Sequence, residues 1–257
     1  PLGTFTCVTG VSGSGKSTLI NRLSGQEVSL VHGEPGTTRD ATDVTLDTGG
    51  RRFVLVDTAG MRRRSKVEDP IEYYSNLRAS YSIERCDVVV VLLDALEGAT
   101  AQDARIIGLA MEMGKGVVIA VNKWDLMKNR EDPVGIDTYR DDMRHRYPFV
   151  SNYPILVLSA LTGSRASRCL EEAAKVHDRA RARISTSRLN RWAEEVTKRL
   201  PPTGNGKDIR VHYVTQSGES PPTFLIFDTR PDLVTEAYKK HLERSLRESF
   251  DFEGTPL

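Results

Sequence analysis

A chain of 257 residues can bury one full core, or one core and a small second domain. Apolar content of 39% and charged content of 28% are those of a globular protein, and a net charge of +1 excludes an overall field that would draw in nucleic acid. No apolar run approaches the roughly 20 residues of a membrane span and no signal peptide precedes the first apolar strand, so the expected location is cytoplasmic and no membrane partner is expected.

Along the chain, "TFTCVT" (4–9) reads as the first strand and Lys16–Gly25 as the first helix, joined by the glycine turn G-V-S-G-S-G-K-S at 10–17. Apolar strands follow at 52–57, 87–94, 116–122 and 154–160, separated by helix-period segments at 71–85, 101–113, 136–147 and 166–181. Nearly continuous apolar strands alternating with helices predict a doubly wound, mostly parallel α/β sheet, with ligands at the strands' C-terminal ends. Past residue 183 the pattern becomes helix, strand, strand, helix: a helix capped near Ser185 or Ser187, strands at 209–216 and 222–229, and a helix over 231–250. That is a second, small α+β domain over 184–257, and the first domain covers 1–183. The three cysteines, Cys7, Cys86 and Cys169, lie far apart in or beside apolar runs, as reduced core thiols would.

The turn at 10–17 matches G-x-x-x-x-G-K-[ST] between a strand and a helix, the setting that pattern requires. Gly10, Gly13 and Gly15 let the backbone amides, Ser14 among them, curl around an anion at the helix N-terminus. Lys16 reaches the β- and γ-phosphates, and the Ser17 hydroxyl takes Mg²⁺. The base is chosen elsewhere. In "NKWD" (122–125), Asp125 can accept from guanine N1–H and the exocyclic amine, and Asn122 can reach N7. Adenine would leave Asp125 unpaired, a penalty worth on the order of 10⁴ in discrimination. "SA" (159–160) would set a backbone N–H against guanine O6. "DTAG" (57–60) can hold Mg²⁺ through water on Asp57 and meet the γ-phosphate with the Gly60 N–H. In "GTTRD" (36–40), Thr38 is the chosen second hydroxyl ligand, ahead of Thr37.

The order GxxxxGKS, GTTRD, DTAG, NKWD, SA resembles a translation-factor-class GTPase. The stretches "PGTTRDATD", "VDTAGMRRRSKVEDPIEYYSNLRA", "VVVLLDALEGATAQDARI", "VNKWDLM" and "ISTSRLN" resemble the bacterial ribosome-assembly GTPase family Der (EngA), over roughly 20–257. That family carries two GTPase domains and a KH-like domain; this chain resembles the second GTPase domain and the KH-like part, so the first GTPase domain would be an intramolecular partner. The stop at "FEGTPL" is expected to fall inside the KH-like domain's last strand. The resemblance implies nucleotide contacts from Gly10, Gly13, Ser14, Gly15, Lys16, Ser17, Thr18, Asp57, Gly60, Asn122, Lys123, Asp125, Ser159, Ala160 and Leu161. It puts Lys16, Thr38 and Gly60 in catalysis, and Ser17, Thr38 and Asp57 on Mg²⁺.

Two departures stand out. Residues 1–20 resemble a P-loop segment of the excision-repair ATP-binding-cassette protein UvrA, as a chimera would. The P-loop Asn through which related GTPases hold an activating K⁺ falls at Gly13, which has no ligating side chain. Met61 also stands where some GTPases place a water-orienting Gln. Together they predict slow turnover of GTP to GDP and phosphate, and the resemblance implies that this serves as a switch in large ribosomal subunit assembly. The alternative is a guanine-nucleotide-binding module with negligible hydrolysis. A cassette ATPase is the third reading, disfavoured because "LSGQ" (23–26) directly follows the P-loop, Ala95 follows Asp94 where a catalytic Glu belongs, and "NKWD" has no role there. Ten Lys/Arg against five Asp/Glu between 163 and 199, including Arg179, Arg181, Arg183, Arg188 and Arg191, suggest contact with rRNA phosphates. Solvated helix charge, with pairs such as Glu194–Lys198, is the competing explanation.

Overall fold

The computed structural model describes residues 3–25, 29–30, 43–56, 80–128, 133–204 and 207–257. Its first part is a seven-stranded sheet: β1 (Thr4–Thr9), β2 (Ser29–Leu30), β3 (Val44–Thr48), β4 (Arg51–Leu55), β5 (Val88–Asp94), β6 (Gly116–Asn122) and β7 (Ile155–Val157), in the order β2-β3-β4-β1-β5-β6-β7. The pairs β4–β1, β1–β5, β5–β6 and β6–β7 are parallel. β3 runs antiparallel to both β4 and β2. The chain leaves β1 toward both sides of the sheet, and a ligand cleft is expected at that reversal of strand order.

Parallel strands buried on both faces must be apolar throughout, and β5 and β6 are entirely buried. Alternate residues serve opposite faces. Val89, Val91 and Leu93 join Val117, Ile119 and Val121 in one cluster; this is closed by Ile107 of α2 (Ala101–Glu112), Trp124 and Met127 of α3 (Trp124–Lys128), and Tyr139 and Met143 of α4 (Ile136–Arg146). Val88, Val90 and Leu92 join Val118 and Ala120 in the other. Here Leu19, Ile20 and Leu23 of α1 (Lys16–Gly25) and Leu170, Ala173 and Val176 of α5 (Arg168–Arg181) cover the sheet. Cys7, Cys86 and Cys169 are buried thiols, and burial pushes that of Cys169 up to about 12.

The strand read at 52–57 is one arm of a hairpin. Gly49 and Gly50, at φ 58° and 73°, form a two-residue turn that pairs Thr48 with Arg51. Two successive positive φ values suit glycine, and the matched twist holds β3 against β4. The strand read at 154–160 shrinks to three residues, because from Leu158 onward the chain turns: Ser159 N–H donates to Ser164 O and Gly163 N–H returns to Ser159 O.

The second unit packs α6 (Thr186–Arg199) and α7 (Glu236–Ser249) on a hairpin of β10 (Val211–Gly218) and β11 (Thr223–Asp228); β8 (Thr203–Gly204) and β9 (Lys207–Asp208) form a separate short pair. Leu189, Trp192, Val196, Val214, Tyr238, Leu242 and Leu246 make its core. The helix expected over 231–250 begins later: Pro231–Leu233 is a single 3₁₀ turn, and Thr235, whose hydroxyl accepts from Tyr238 N–H, starts α7 afresh.

Backbone and side-chain hydrogen bonds stitch the units together. The buried Gln216 side chain donates to Ala182 O and accepts from Ile184 N–H, fixing the connection between α5 and α6. Ser220 N–H donates to Ala180 O. Residues 251–257 then run back to the first unit, where Gly254 O accepts from Val117 N–H at 2.7 Å and Gly254 N–H donates to Asn152 O at 2.8 Å.

The arginines of the basic stretch find partners both between the units and within them. Arg179 pairs with Asp251 and Glu253, Arg181 with Asp87 and Arg183 with Glu219. Arg188 lies over the Phe250 ring, and Glu194–Lys198 forms the intrahelical pair expected of it. Most of the named charges therefore have protein partners, while the side chains of Arg181 and Arg183 stay more than half exposed; Arg191 has none among the described residues.

Candidate nucleotide-binding site

The glycine turn follows β1 at the C-terminal edge of the sheet. Gly10, Gly13 and Gly15 all have positive φ, at 147°, 86° and 96°. A Cβ on Gly10 would lie 2.3 Å from Leu92 O, and one on Gly15 would lie 2.3 Å from Asn122 Nδ2. Backbone and Asn122 therefore fill the space that larger residues would need. Lys16 donates to Gly10 O at 2.8 Å and Val11 O at 2.6 Å, so its ammonium is held against the turn. Ser14 is buried, and its hydroxyl has no protein partner among the described residues. Ser17 and Thr18 lie exposed in the first turn of α1.

Asn122, the last residue of β6, is a staple. Its amide donates to Ser14 O at 2.7 Å and its carbonyl oxygen accepts from Ala160 N–H at 2.8 Å. The side chain thus ties the phosphate turn to the "SA" loop, and its amide keeps a second N–H donor beyond the one given to Ser14 O. Lys123 follows with φ 64° and pairs with Asp94 at 2.5 Å. Beneath them Trp124 meets Tyr139 edge-on at 5.1 Å, and the Tyr139 hydroxyl donates to Ala95 O. Burial pushes that hydroxyl up to about 12, so it stays a neutral donor. Asp125 then carries the telling feature: its Oδ1 is buried with no hydrogen-bond partner among the described residues. A buried acceptor left unpaired costs about 1–3 kcal/mol, and a ligand with N–H donors would recover it.

Ser159 is buried, its hydroxyl accepting from Thr162 N–H. Ala160 and the exposed Leu161 are held to α1 by Arg22, which donates to both carbonyls. With Thr18, Asn21, Arg22 and Gly25 they line a cleft of about 320 Å³. Thus the structure brings Gly10, Gly13, Ser14, Gly15, Lys16, Ser17, Thr18, Asn122, Lys123, Asp125, Ser159, Ala160 and Leu161 to one edge of the sheet. Thr37, Thr38, Asp57, Gly60 and Met61 lie outside the described residues. Sequence reasoning did not find the Asp94–Lys123 pair, although an aspartate ending β5 in register with Asn122 was its signal.

The site fits a guanine nucleotide through the unpaired Asp125 oxygen and the glycine turn. For Mg²⁺ the described part of the donor set is Ser17, whose hydroxyl is exposed and has no protein partner among the described residues, as suits a hard oxygen ligand. Among the described residues no cluster of three acidic, His or Cys side chains could hold a metal by itself.

Fold and site together define a P-loop GTPase domain joined to a KH-domain-like unit. Residues 5–123 match a family described as a 50S ribosome-binding GTPase, and 183–257 match the C-terminal KH-domain-like part of EngA bacterial GTPase enzymes. The first match takes in the phosphate turn that resembles UvrA. The chain belongs to the GTPase Der family. It is 45% identical over 244 residues to GTPase Der of Moorella thermoacetica, covering 95% of this chain and 55% of that protein. Against the protein of Caldanaerobacter subterraneus subsp. tengcongensis identity is 43% over the same coverages, and against that of Chloroherpeton thalassium it is 45%, covering 95% and 56%. The chain spans about half the length of these relatives.

Proposed function

We propose that this chain binds GTP and GDP through a first unit at residues 1–183, and hydrolyses GTP slowly as a switch in assembly of the large ribosomal subunit. The unpaired, buried Asp125 oxygen carries the base assignment. Lys16 and the turn amides bind the phosphates, and the Asn122 staple keeps them in register with the base-reading loops. Mg²⁺, held by Ser17 with Thr38 and Asp57, supplies charge neutralisation on the phosphates when bound. Lys16 adds a fixed positive charge, and the Gly60 N–H is assigned to the γ-phosphate. K⁺ would find no side-chain ligand at Gly13. The KH-like unit at 184–257 faces rRNA or the family's first GTPase domain, in the cytoplasm; among the described residues no helix is long and apolar enough to cross a membrane.

The test is displacement of a fluorescent GDP by GTP, ATP and XTP, for the wild type and Asp125→Asn. GTP should displace and ATP should not. The variant should lose GTP by at least about 100-fold and gain XTP, because an amide can donate where the carboxylate accepted. Equal competition by ATP overturns the guanine assignment. Phosphate release from GTP in KCl and NaCl measures hydrolysis, and co-sedimentation with large subunits in a non-hydrolysable GTP analogue measures the partner.

A further inference from the structure

Asp94 ends β5 and is buried, yet it carries no phosphate or metal role in the site above. Its two oxygens have separate tasks. Oδ1 accepts from Leu96 N–H at 2.9 Å, inside a turn closed by Gly98 N–H on Asp94 O. Oδ2 takes the Lys123 ammonium at 2.5 Å. The strand register explains the reach: Asp94 lies opposite Asn122, and Ala95 N–H donates to Asn122 O. Lys123 is the next residue, and its left-handed backbone turns the side chain back across the strand end toward β5.

A carboxylate kept out of water is costly unless it is paired, and an isosteric amide would satisfy Leu96 N–H equally well. The negative charge at 94 is therefore matched to Lys123, which lies between the staple Asn122 and the base reader Asp125. A lysine left loose would lose its freedom only when ligand arrives, and that ordering weakens binding. A pinned lysine fixes the 122–125 loop beforehand.

We propose that Asp94 is a positioning residue for guanine-nucleotide binding: by anchoring Lys123 it pre-sets the loop that carries Asp125, without touching the nucleotide itself. This rests on the GTPase reading, so the wild-type measurement comes first. Dissociation constants for fluorescent GDP are compared among the wild-type chain, D94N, D94E, K123M and D94N/K123M. D103N serves as control: Asp103 is equally buried but caps α2 with Thr100.

D94N should weaken GDP by about 10-fold, and the double variant should be no weaker than the weaker single, because each breaks the same contact. D94E, which keeps the charge, should bind tighter than D94N. If the carboxylate served packing alone, the isosteric D94N would be the milder change, and that order refutes the proposal. D103N should unfold sooner yet leave GDP affinity within about two-fold. Additive losses in the double variant, or D94N binding like the wild type, overturn the role of Asp94 and leave the GTPase reading standing. If D94N does not fold, D94E binding more than about ten times weaker than the wild type refutes it as well. A wild type that binds no guanine nucleotide overturns the reading and the proposal with it.

Discussion

Removing the Asn122 side chain should separate the two loops that it joins, the phosphate turn and the "SA" loop. In Asn122→Ala, Ser14 O loses a donor at 2.7 Å and Ala160 N–H loses an acceptor at 2.8 Å, and Asn122 itself is only 2% exposed. Each group left unpaired in a buried setting costs about 1–3 kcal/mol, so the pair should destabilise the first unit by about 2–6 kcal/mol. For a chain of this size that lowers the unfolding midpoint by about 4–24 °C. The two tryptophans make the assay selective, because Trp124 lies in the first unit's core and Trp192 in the second's. Urea unfolding of N122A in a Trp192→Phe background should show a lower midpoint with unchanged slope, and nucleotide affinity should fall with it. A loss below about 0.5 kcal/mol would refute the staple, since that is the scatter of inert surface changes.

Two further outcomes follow from the junction and from the sheet edge. Gly254→Ala should loosen the C-terminal tail, because φ is +80° and a Cβ would stand 2.6 Å from Val176 Cγ2 and 2.8 Å from Val117 O. A cost of about 1–3 kcal/mol is expected, with faster amide exchange at Val117; unchanged exchange there would refute the tail contact. Arg51 makes a two-pronged pair with Asp178, whose carboxyl is held below the usual range chiefly by that hydrogen bond. A lowered folded value means stability present above the unfolded carboxylate value and lost as pH falls through the folded one. Both side chains are about half exposed, so Arg51→Met should cost under about 1 kcal/mol at pH 7. The cost should vanish in acid, and a difference that persists at low pH would refute the ion-pair account.

The β1–turn–α1 unit was legible because glycine, lysine and serine at fixed spacing have one physical use between a strand and a helix. β5 and β6 were legible because burial on both faces leaves no polar position. The β3–β4 hairpin was missed: "VTLDT" is short and half polar, and its Gly49–Gly50 turn signal was passed over. The site was read residue by residue as a set of ligand contacts, and tertiary structure adds the bonds that hold those residues to one another. Asn122 carries a pattern tied to the base, yet its partners are backbone groups from segments 108 residues earlier and 38 later, which spacing alone could not reveal. The partners of the basic stretch were hidden for a related reason. A sum of charges is blind to acids such as Asp87 and Asp251 that the fold delivers from far along the chain.

The docked tail bears on how this protein can be cut. Severing the chain after α5 would take away Gly254 and Phe252 together with Gln216. Val117 N–H would then lose its acceptor at the start of β6, and Val176 would lose the backbone packed against it. A nucleotide-binding fragment made that way would begin with an unfinished edge on the very strand that ends in Asn122. Shortened versions should therefore keep the last seven residues, grafted if need be, before their enzymology is compared with that of the whole.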